Sequence, residues 1–176
     1  MRTRGIVLGI ALSVAMVASA THAQEAPGFE EGDRTFTLSG SGSSDKDFDA
    51  SIAALEMGLG WFVSDQVAFQ LRQGIGFADV QGGDNWNGST RLGFDYFMNA
   101  GRVKPFVGVG IGYLYGDGVE EQFVAGPDAG VRVFVNDTTF VNLGIEYQFL
   151  FDDADEAKDS YDDGRFVYAV GMGVKW

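Results

Sequence analysis

Large apolar residues occupy every second position along most of this chain. The last twelve residues, RFVYAVGMGVKW, show the alternation at its clearest. A two-residue period is typical of a β-strand with two unlike faces. Seven earlier segments repeat the pattern, so the sequence predicts eight strands. In chain order they are RTFTLSGSGS, ASIAALEMGLGWF, QVAFQLRQGIGF, TRLGFDYFM, KPFVGVGIGYLY, AGPDAGVRVFV, FVNLGIEYQF and RFVYAVGMGVKW.

The positions between the bulky residues hold glycine and charge. A soluble sandwich, or a soluble lipocalin-like binder, would turn the bulky side chains inward and leave a glycine-rich face to water, which weakens strands. The opposite arrangement, with the bulky side chains outside and the glycines and charged residues inside, is favoured. An eight-stranded barrel has an interior just wide enough for side chains, so glycine relieves crowding there while the apolar face meets lipid. The charged residues are predicted to form an interior ion-pair network of Glu56, Arg72, Arg91, Asp95, Asp128, Arg132, Glu146, Arg165 and Lys175.

Strand length and aromatic placement agree with a wall that crosses a membrane. About 10 residues at ~3.3 Å each, tilted by about 40 to 45 degrees, cover an apolar band of roughly 25 Å. Lipid offers no hydrogen bonds to an open sheet edge, so the sheet must close. Aromatic residues near the strand ends are predicted to form two interfacial girdles. One girdle contains Trp61, Phe62, Tyr96, Phe97, Phe106, Phe134, Phe140 and Trp176, and the other contains Phe77, Trp86, Tyr113, Tyr115, Phe149, Phe151 and Phe166.

The N-terminus carries an export signal. Two arginines precede an apolar run and then small residues in MRTRGIVLGIALSVAMVASATHAQ, which predicts a secretory signal peptide. Cleavage after Ala23 is preferred and cleavage after Ala20 is the alternative. The predicted organisation is therefore a signal peptide at 1–23, a leader at 24–33 and a barrel at 34–176.

Charge and composition exclude several classes of function. Removing Arg2 and Arg4 leaves 10 of the 12 basic residues against 25 acidic ones, a formal charge of −15. Such an acidic chain does not suit nucleic acid as a partner. Cysteine is absent, and the single histidine, His22, leaves with the signal peptide.

The connections between strands alternate in length. The segments VSDQ, NAGR and VNDTT are short turns, whereas SSDKDFD, ADVQGGDNWNGS, GDGVEEQ and DDADEAKDSYDDG are long. In membrane barrels the short turns face the periplasm and the long loops face outward, which puts both termini of the mature chain in the periplasm. The turn near Ser64 makes a hairpin in which Glu56 lies directly opposite Arg72 or diagonal to it, so these two are predicted to pair.

The chain resembles the small Gram-negative outer-membrane β-barrel proteins, the eight-stranded group that includes the OmpA transmembrane domain and the OmpX and OmpW types. The segments KPFVGVGIGY, AGVRVFVND and AVGMGVKW carry the resemblance. It implies an all-β, antiparallel up-and-down transmembrane barrel in the outer membrane, among lipid and lipopolysaccharide. It also implies that Gly171, Val174 and Trp176 are part of a signal read by the outer-membrane assembly machinery, although phenylalanine is the more usual last residue.

Enzymes of this barrel class resemble one another in relying on histidine, which the mature chain lacks. A non-enzyme without cofactors is therefore predicted, and the interior carboxylates are interpreted as ion-pair partners rather than general acids. The acidic segment near the C-terminus does not follow the EF-hand order, so a solvated loop is favoured over a calcium site, with weak divalent bridging to lipopolysaccharide as an alternative. Its acidic residues are Asp152, Asp153, Asp155, Glu156, Asp159, Asp162 and Asp163.

The function favoured by these observations is structural or surface-interacting, through acidic extracellular loops that contact the envelope or a host surface. The alternative is a narrow OmpW-like channel from which small apolar solutes leave sideways. A charged interior argues for a plugged lumen, whereas a conduit for apolar solutes should have an apolar funnel. Gln73 is the one polar residue on the apolar face of its strand, where it marks a partner contact or a position away from the bilayer centre.

Overall fold

The computed structural model describes residues 26–45, 51–80, 83–116, 121–151 and 164–176. Its strands are β1 Arg34–Asp45, β2 Ser51–Ser64, β3 Val67–Val80, β4 Gly83–Phe97, β5 Val103–Tyr115, β6 Gln122–Phe134, β7 Thr139–Phe151 and β8 Gly164–Lys175. Each strand pairs antiparallel with the next, and β8 pairs with β1 to close the barrel. The predicted eight-stranded antiparallel up-and-down barrel is confirmed. The predicted signal peptide and the acidic segment at 152–163 lie outside the described residues.

No helix within the described ranges has the length and apolar character needed to cross a membrane.

The barrel has two ends with different connections. The terminal end is the one where β1 begins at Arg34 and β8 ends at Lys175, and the loop end is the opposite one. At the terminal end, the turn between β6 and β7 is held by the Asn136 side chain, whose Oδ1 accepts from the backbone N–H of Thr138 at 2.9 Å and of Thr139 at 2.8 Å. Such side-chain-capped turns need few residues.

One connection at the loop end is shorter than predicted. The segment ADVQGGDNWNGS was expected to be a long loop, but β3 continues to Val80 and β4 begins at Gly83. Its residues pair in unbroken register from Ile75↔Gly88 to Val80↔Gly83. The prediction is wrong because the hydrogen bonds of an antiparallel ladder join backbone groups, so polar side chains do not end the pairing.

The bulky side chains of the alternating pattern point outward. Leu55 and Ile111 are each 63 % exposed, while Glu56 and Arg91 are buried inside the barrel. The soluble arrangement with the bulky face inward is therefore wrong. Bulk on the outside and charge on the inside is the pattern of a barrel wall that meets lipid.

The predicted girdle at the terminal end is only partly correct. Trp61, Tyr96 and Trp176 point outward and are exposed. Five phenylalanines assigned to the same girdle are instead buried inside the barrel mouth, because they occupy positions of inward parity along their strands. These are Phe62, Phe97, Phe106, Phe134 and Phe140. At the loop end Trp86 is exposed, whereas the side chain of Phe77 lies outside the described part.

Candidate functional site

Arg72 of β3 lies at the centre of the barrel interior. Its Nη2 is 3.2 Å from Asp95 Oδ2 and 2.7 Å from Asp128 Oδ2, and its Nη1 is 3.4 Å from Glu146 Oε2. These three carboxylates come from β4, β6 and β7 and are all buried. Arg72 therefore ties one side of the barrel to the other across the lumen.

Glycine provides the room for this cluster. A Cβ atom at Gly108 would collide with the carboxylates of Asp95 and Asp128 and with the backbone carbonyl of Phe94. Of these contacts, the backbone carbonyl cannot move without shifting β4. The absence of a side chain at Gly108 is thus a requirement of the interior ion pairs.

Arg91 extends the network along the lumen. Its guanidinium forms ion pairs with Glu56 and Glu146, and the three side chains are nearly completely buried. Glu146 also accepts from Gln148 Nε2 at 2.8 Å, and Gln148 Oε1 accepts from Arg165 Nε at 2.8 Å. The structure thus brings together most of the charged residues that the sequence placed on the inner face.

The predicted pairing of Glu56 with Arg72 is wrong. Glu56 is opposite Gly74, and Arg72 is opposite Gly58, which is the diagonal register. Glu56 pairs with Arg91 instead, and Arg72 turns to the carboxylates on the far wall. The lumen is narrow enough for arginine side chains to span it, so contacts across the barrel replace contacts along the hairpin.

Arg132 and Lys175 have partners outside this cluster. In the described ranges Arg132 has no carboxylate within ion-pair distance, and its Nε donates to Asn142 Oδ1 at 3.2 Å. Its guanidinium carbon lies 4.9 Å from the ring centroid of Phe97, a cation–π distance. Lys175 lies at the terminal end, where its Nζ donates to Asp33 Oδ2 at 2.9 Å.

The terminal mouth of the barrel is filled by Phe29, which the sequence did not mark as part of the interior. Phe29 is 5 % exposed and stacks on Phe62 with ring centroids 4.1 Å apart. Its ring also meets Phe97 at 5.2 Å, Phe134 at 5.0 Å and Phe140 at 5.7 Å between centroids. We call this group of rings, with Phe106, the phenylalanine plug.

Hydrogen bonds hold the leader that carries Phe29 in place. The N–H of Gly32 donates to Phe62 O at 2.9 Å, and the N–H of Phe62 donates to Asp33 O at 2.9 Å. The N–H of Glu31 donates to Asp65 Oδ1 at 3.0 Å. Gly32 has a φ of +92°, a conformation that glycine adopts readily and that lets the chain turn from the mouth into β1.

The free space beside the ion-pair network is small. A cavity of about 40 Å³ lies beside the ion-pair network, lined in part by Thr37, Gln70 and Asn142. It has room for a few water molecules and not for a solute. A larger open space of about 810 Å³ lies at the terminal end outside the phenylalanine plug, where Lys104 Nζ donates to Asn99 Oδ1 at 2.5 Å.

On the outer wall, Gln73 belongs to a small polar cluster. Its Nε2 donates to the Tyr115 hydroxyl at 2.7 Å, and its Oε1 accepts from Thr90 Oγ1 at 2.8 Å. A polar side chain is thereby satisfied on an apolar surface by its cross-strand neighbours.

The residues of the predicted assembly signal lie on β8 and its end. Val174 and Trp176 are exposed on the outer wall. Gly171 points inward, where an added Cβ would collide with the backbone carbonyl of Leu38. Within the ranges that the structure describes, no group of three or more acidic or histidine side chains is arranged to hold a metal ion.

A closed antiparallel barrel of eight strands, with bulk outside and ion pairs inside, defines a class of membrane β-barrels. Several solved structures with this fold are outer-membrane proteins. OprG from Pseudomonas aeruginosa is similar with a TM-score of 0.65 and 14 % identity over 85 % of this chain and 98 % of that chain.

Two further structures are comparably similar. Neisserial surface protein A gives a TM-score of 0.62 with 14 % identity, over 82 % of this chain and 96 % of that chain. The N-terminal barrel domain of OprF from Pseudomonas aeruginosa gives 0.60 with 16 % identity, over 83 % and 98 %. The sequence matches no protein-family model and no curated protein. The chain has the fold of the small Gram-negative outer-membrane β-barrel proteins, which confirms the resemblance drawn from its sequence.

Proposed function

We propose that this protein is a non-enzymatic outer-membrane β-barrel with a closed lumen, which acts as a structural or surface-interaction protein through its outer loops. The observation that carries the proposal is the filled interior. Arg72 and Arg91 bridge the lumen through their carboxylate partners, and the phenylalanine plug occupies the terminal mouth. A lumen filled in this way leaves no continuous column of water.

The predicted signal peptide supports export, and the outward apolar face supports insertion into lipid. The terminal end, with its short turns, would face the periplasm together with both termini of the mature chain. The loop end would then present the acidic segment at 152–163 to lipopolysaccharide or to a partner on another surface. In this arrangement Gly171, Val174 and Trp176 would be read by the assembly machinery before insertion, and Trp176 would anchor in the membrane interface afterwards.

The state of the interior carboxylates supports a role without catalysis. Glu56, Asp95, Asp128 and Glu146 each form an ion pair with an arginine. A carboxylate that neutralises a buried arginine is not available as a general acid or base without stranding that arginine.

The proposal is tested by fractionation and by conductance. The protein should be recovered with the outer membrane and should migrate faster on a detergent gel before heating than after it. In planar bilayers the purified protein should give at most small and rare openings. Recovery in the periplasmic fraction without detergent would contradict the membrane location, and stable large conductance in most insertions would contradict the closed lumen.

A second candidate function, a narrow channel with a sideways exit, is favoured by one observation. The pairing of β6 with β7 runs to Ala125↔Phe149 and resumes at Asp128↔Glu146, with Pro127 in the gap. Proline has no N–H to donate to the ladder, so the pairing of β6 with β7 is interrupted there. A channel predicts that Pro127→Ala slows the uptake of a small apolar solute into vesicles that contain the protein, whereas a closed barrel predicts equal uptake.

A further inference from the structure

Arg34 is the one basic residue on the outward face of the strands that the structure describes. It is exposed, and it lies on the same face of β1 as the exposed residues Phe36 and Leu38. The other basic residues of the described strands, Arg72, Arg91, Lys104, Arg132, Arg165 and Lys175, lie at inward positions. An exposed guanidinium at the edge of an apolar wall is free to bind an anionic group from its surroundings.

Two tryptophans flank Arg34 on neighbouring strands. Arg34 and Trp176 exchange backbone hydrogen bonds of 3.0 Å in both directions, and Arg34 is opposite Trp61 in the register of β1 and β2. Side chains of directly opposed residues lie about 5 Å apart at their Cβ atoms. Trp176 is 61 % exposed and Trp61 is 40 % exposed, so the three side chains form one outward row at the terminal end.

The carboxylate nearest to Arg34 in sequence is already engaged. Asp33 Oδ2 accepts from Lys175 Nζ and from the N–H of Glu30, both at 2.9 Å. In the described residues no carboxylate lies within ion-pair distance of Arg34. The positive charge of this row is therefore not neutralised by the protein around it.

We propose that Arg34, Trp61 and Trp176 bind the phosphodiester headgroup of an anionic glycerophospholipid at the terminal rim of the barrel. The guanidinium matches a phosphate in charge and in its two-pronged hydrogen-bonding geometry. Tryptophan rings settle at the depth of lipid headgroups and would hold the lipid beside the arginine. This inference rests on the proposed function, because the row meets lipid headgroups only if the barrel spans a bilayer.

The test uses the two tryptophans of the row as reporters. The chain has three tryptophans, so Trp86→Phe leaves Trp61 and Trp176 alone. The Trp86→Phe variant is refolded into vesicles of phosphatidylcholine and phosphatidylglycerol. In one sample the phosphatidylcholine carries bromine on its acyl chains, and in a second sample the phosphatidylglycerol does. Bromine quenches tryptophan on contact, so the two experiments together give the relative affinity of the row for the anionic lipid.

One arginine near an anionic surface favours the anionic lipid by about fivefold. That preference is expected with Arg34. It should be reduced but not abolished in Arg34→Lys, which keeps the charge and loses the two-pronged geometry, and it should fall to about onefold in Arg34→Gln. Arg102→Gln is the matched control, because Arg102 is an exposed cation in the turn between β4 and β5 and lies away from the row. In the protein that retains Arg34, the preference for the anionic lipid should also decrease with added salt.

Equal quenching by both lipids with Arg34 present would overturn the lipid site, and so would a preference that persists in Arg34→Gln. Gel mobility of the same vesicle samples separates this result from failure of the proposed function. A heat-modifiable, inserted barrel without lipid preference contradicts the lipid site alone. A protein that does not insert into any of the vesicles contradicts both proposals.

Discussion

Replacing Phe29 by alanine tests whether the leader is part of the folded barrel. The Phe29 ring is 5 % exposed and meets four other phenylalanine rings at centroid distances from 4.1 to 5.7 Å. Truncating a buried phenylalanine to alanine costs about 3 to 5 kcal/mol in a packed core. We expect the low end of that range, about 3 kcal/mol, because the leader can leave the mouth as a unit and the loss is limited to its docking free energy.

The measurement is the free energy of unfolding by urea in lipid vesicles, followed by the gel mobility of the folded form. Glu31→Ala is the matched control in the same leader, since the Glu31 side chain is exposed and only its backbone N–H is bonded to the barrel. The amide of Phe62, which donates to Asp33 O, provides a local readout. Its hydrogen exchange should accelerate in Phe29→Ala and remain slow in Glu31→Ala.

Two results would refute this reasoning. Unfolding free energies that agree within about 0.5 kcal/mol for Phe29→Ala and the unaltered protein would mean that the ring does not stabilise the barrel. Equal acceleration of Phe62 exchange in both variants would mean that the leader leaves the mouth whether or not the ring is present.

Three further outcomes follow from the interior and the end of the chain. Glu56→Gln and Arg91→Gln should each lower the unfolding free energy by about 3 kcal/mol, and the double variant should lose less than their sum; strictly additive losses would contradict the pair. Gly108→Ala should lower the unfolding free energy by about 1 to 3 kcal/mol, because the added Cβ would collide with interior carboxylates and a backbone carbonyl. Gly40→Ala is the control and should be close to neutral, because its Cβ would meet only a backbone carbonyl at 3.9 Å. Deleting Trp176 should reduce the yield of heat-modifiable protein far more than removing the acidic segment at 152–163 does, and equal yields would remove its assembly role.

The strands could be predicted from the sequence because the outer face of the wall and the narrow lumen inside it impose unlike demands on alternate residues. The alternation along the strand also predicts the direction of Phe62. Phe62 directly follows Trp61, which faces outward, so Phe62 must face inward. Its height along the strand alone places it in the girdle, whereas its parity decides that it faces the lumen.

The alternating pattern could not predict the partners of Arg72 or the position of Phe29. Which carboxylates face Arg72 depends on how far the strands slide past one another around the closed barrel, a quantity that the pairing of one hairpin does not determine. Phe29 stands alone in APGFEEGD, where no periodic neighbour indicates a buried face. Its position depends on five rings, each contributed by a different strand, and these rings meet only after closure.

Arg132 lies between the ion-pair network and the phenylalanine plug. Its guanidinium packs over the ring of Phe97 at 4.9 Å and that of Phe140 at 5.0 Å, while its Nε donates to Asn142 on the polar side. A buried cation without a carboxylate partner in the described residues is stabilised by the negative faces of these rings, and the rings are held together by Phe29. The plug therefore does more than fill the mouth, because it supplies Arg132 with the environment in which a charge can remain buried. Water that entered after loss of Phe29 would hydrate Arg132 and offset part of the lost packing, which is a second reason to expect the smaller destabilisation.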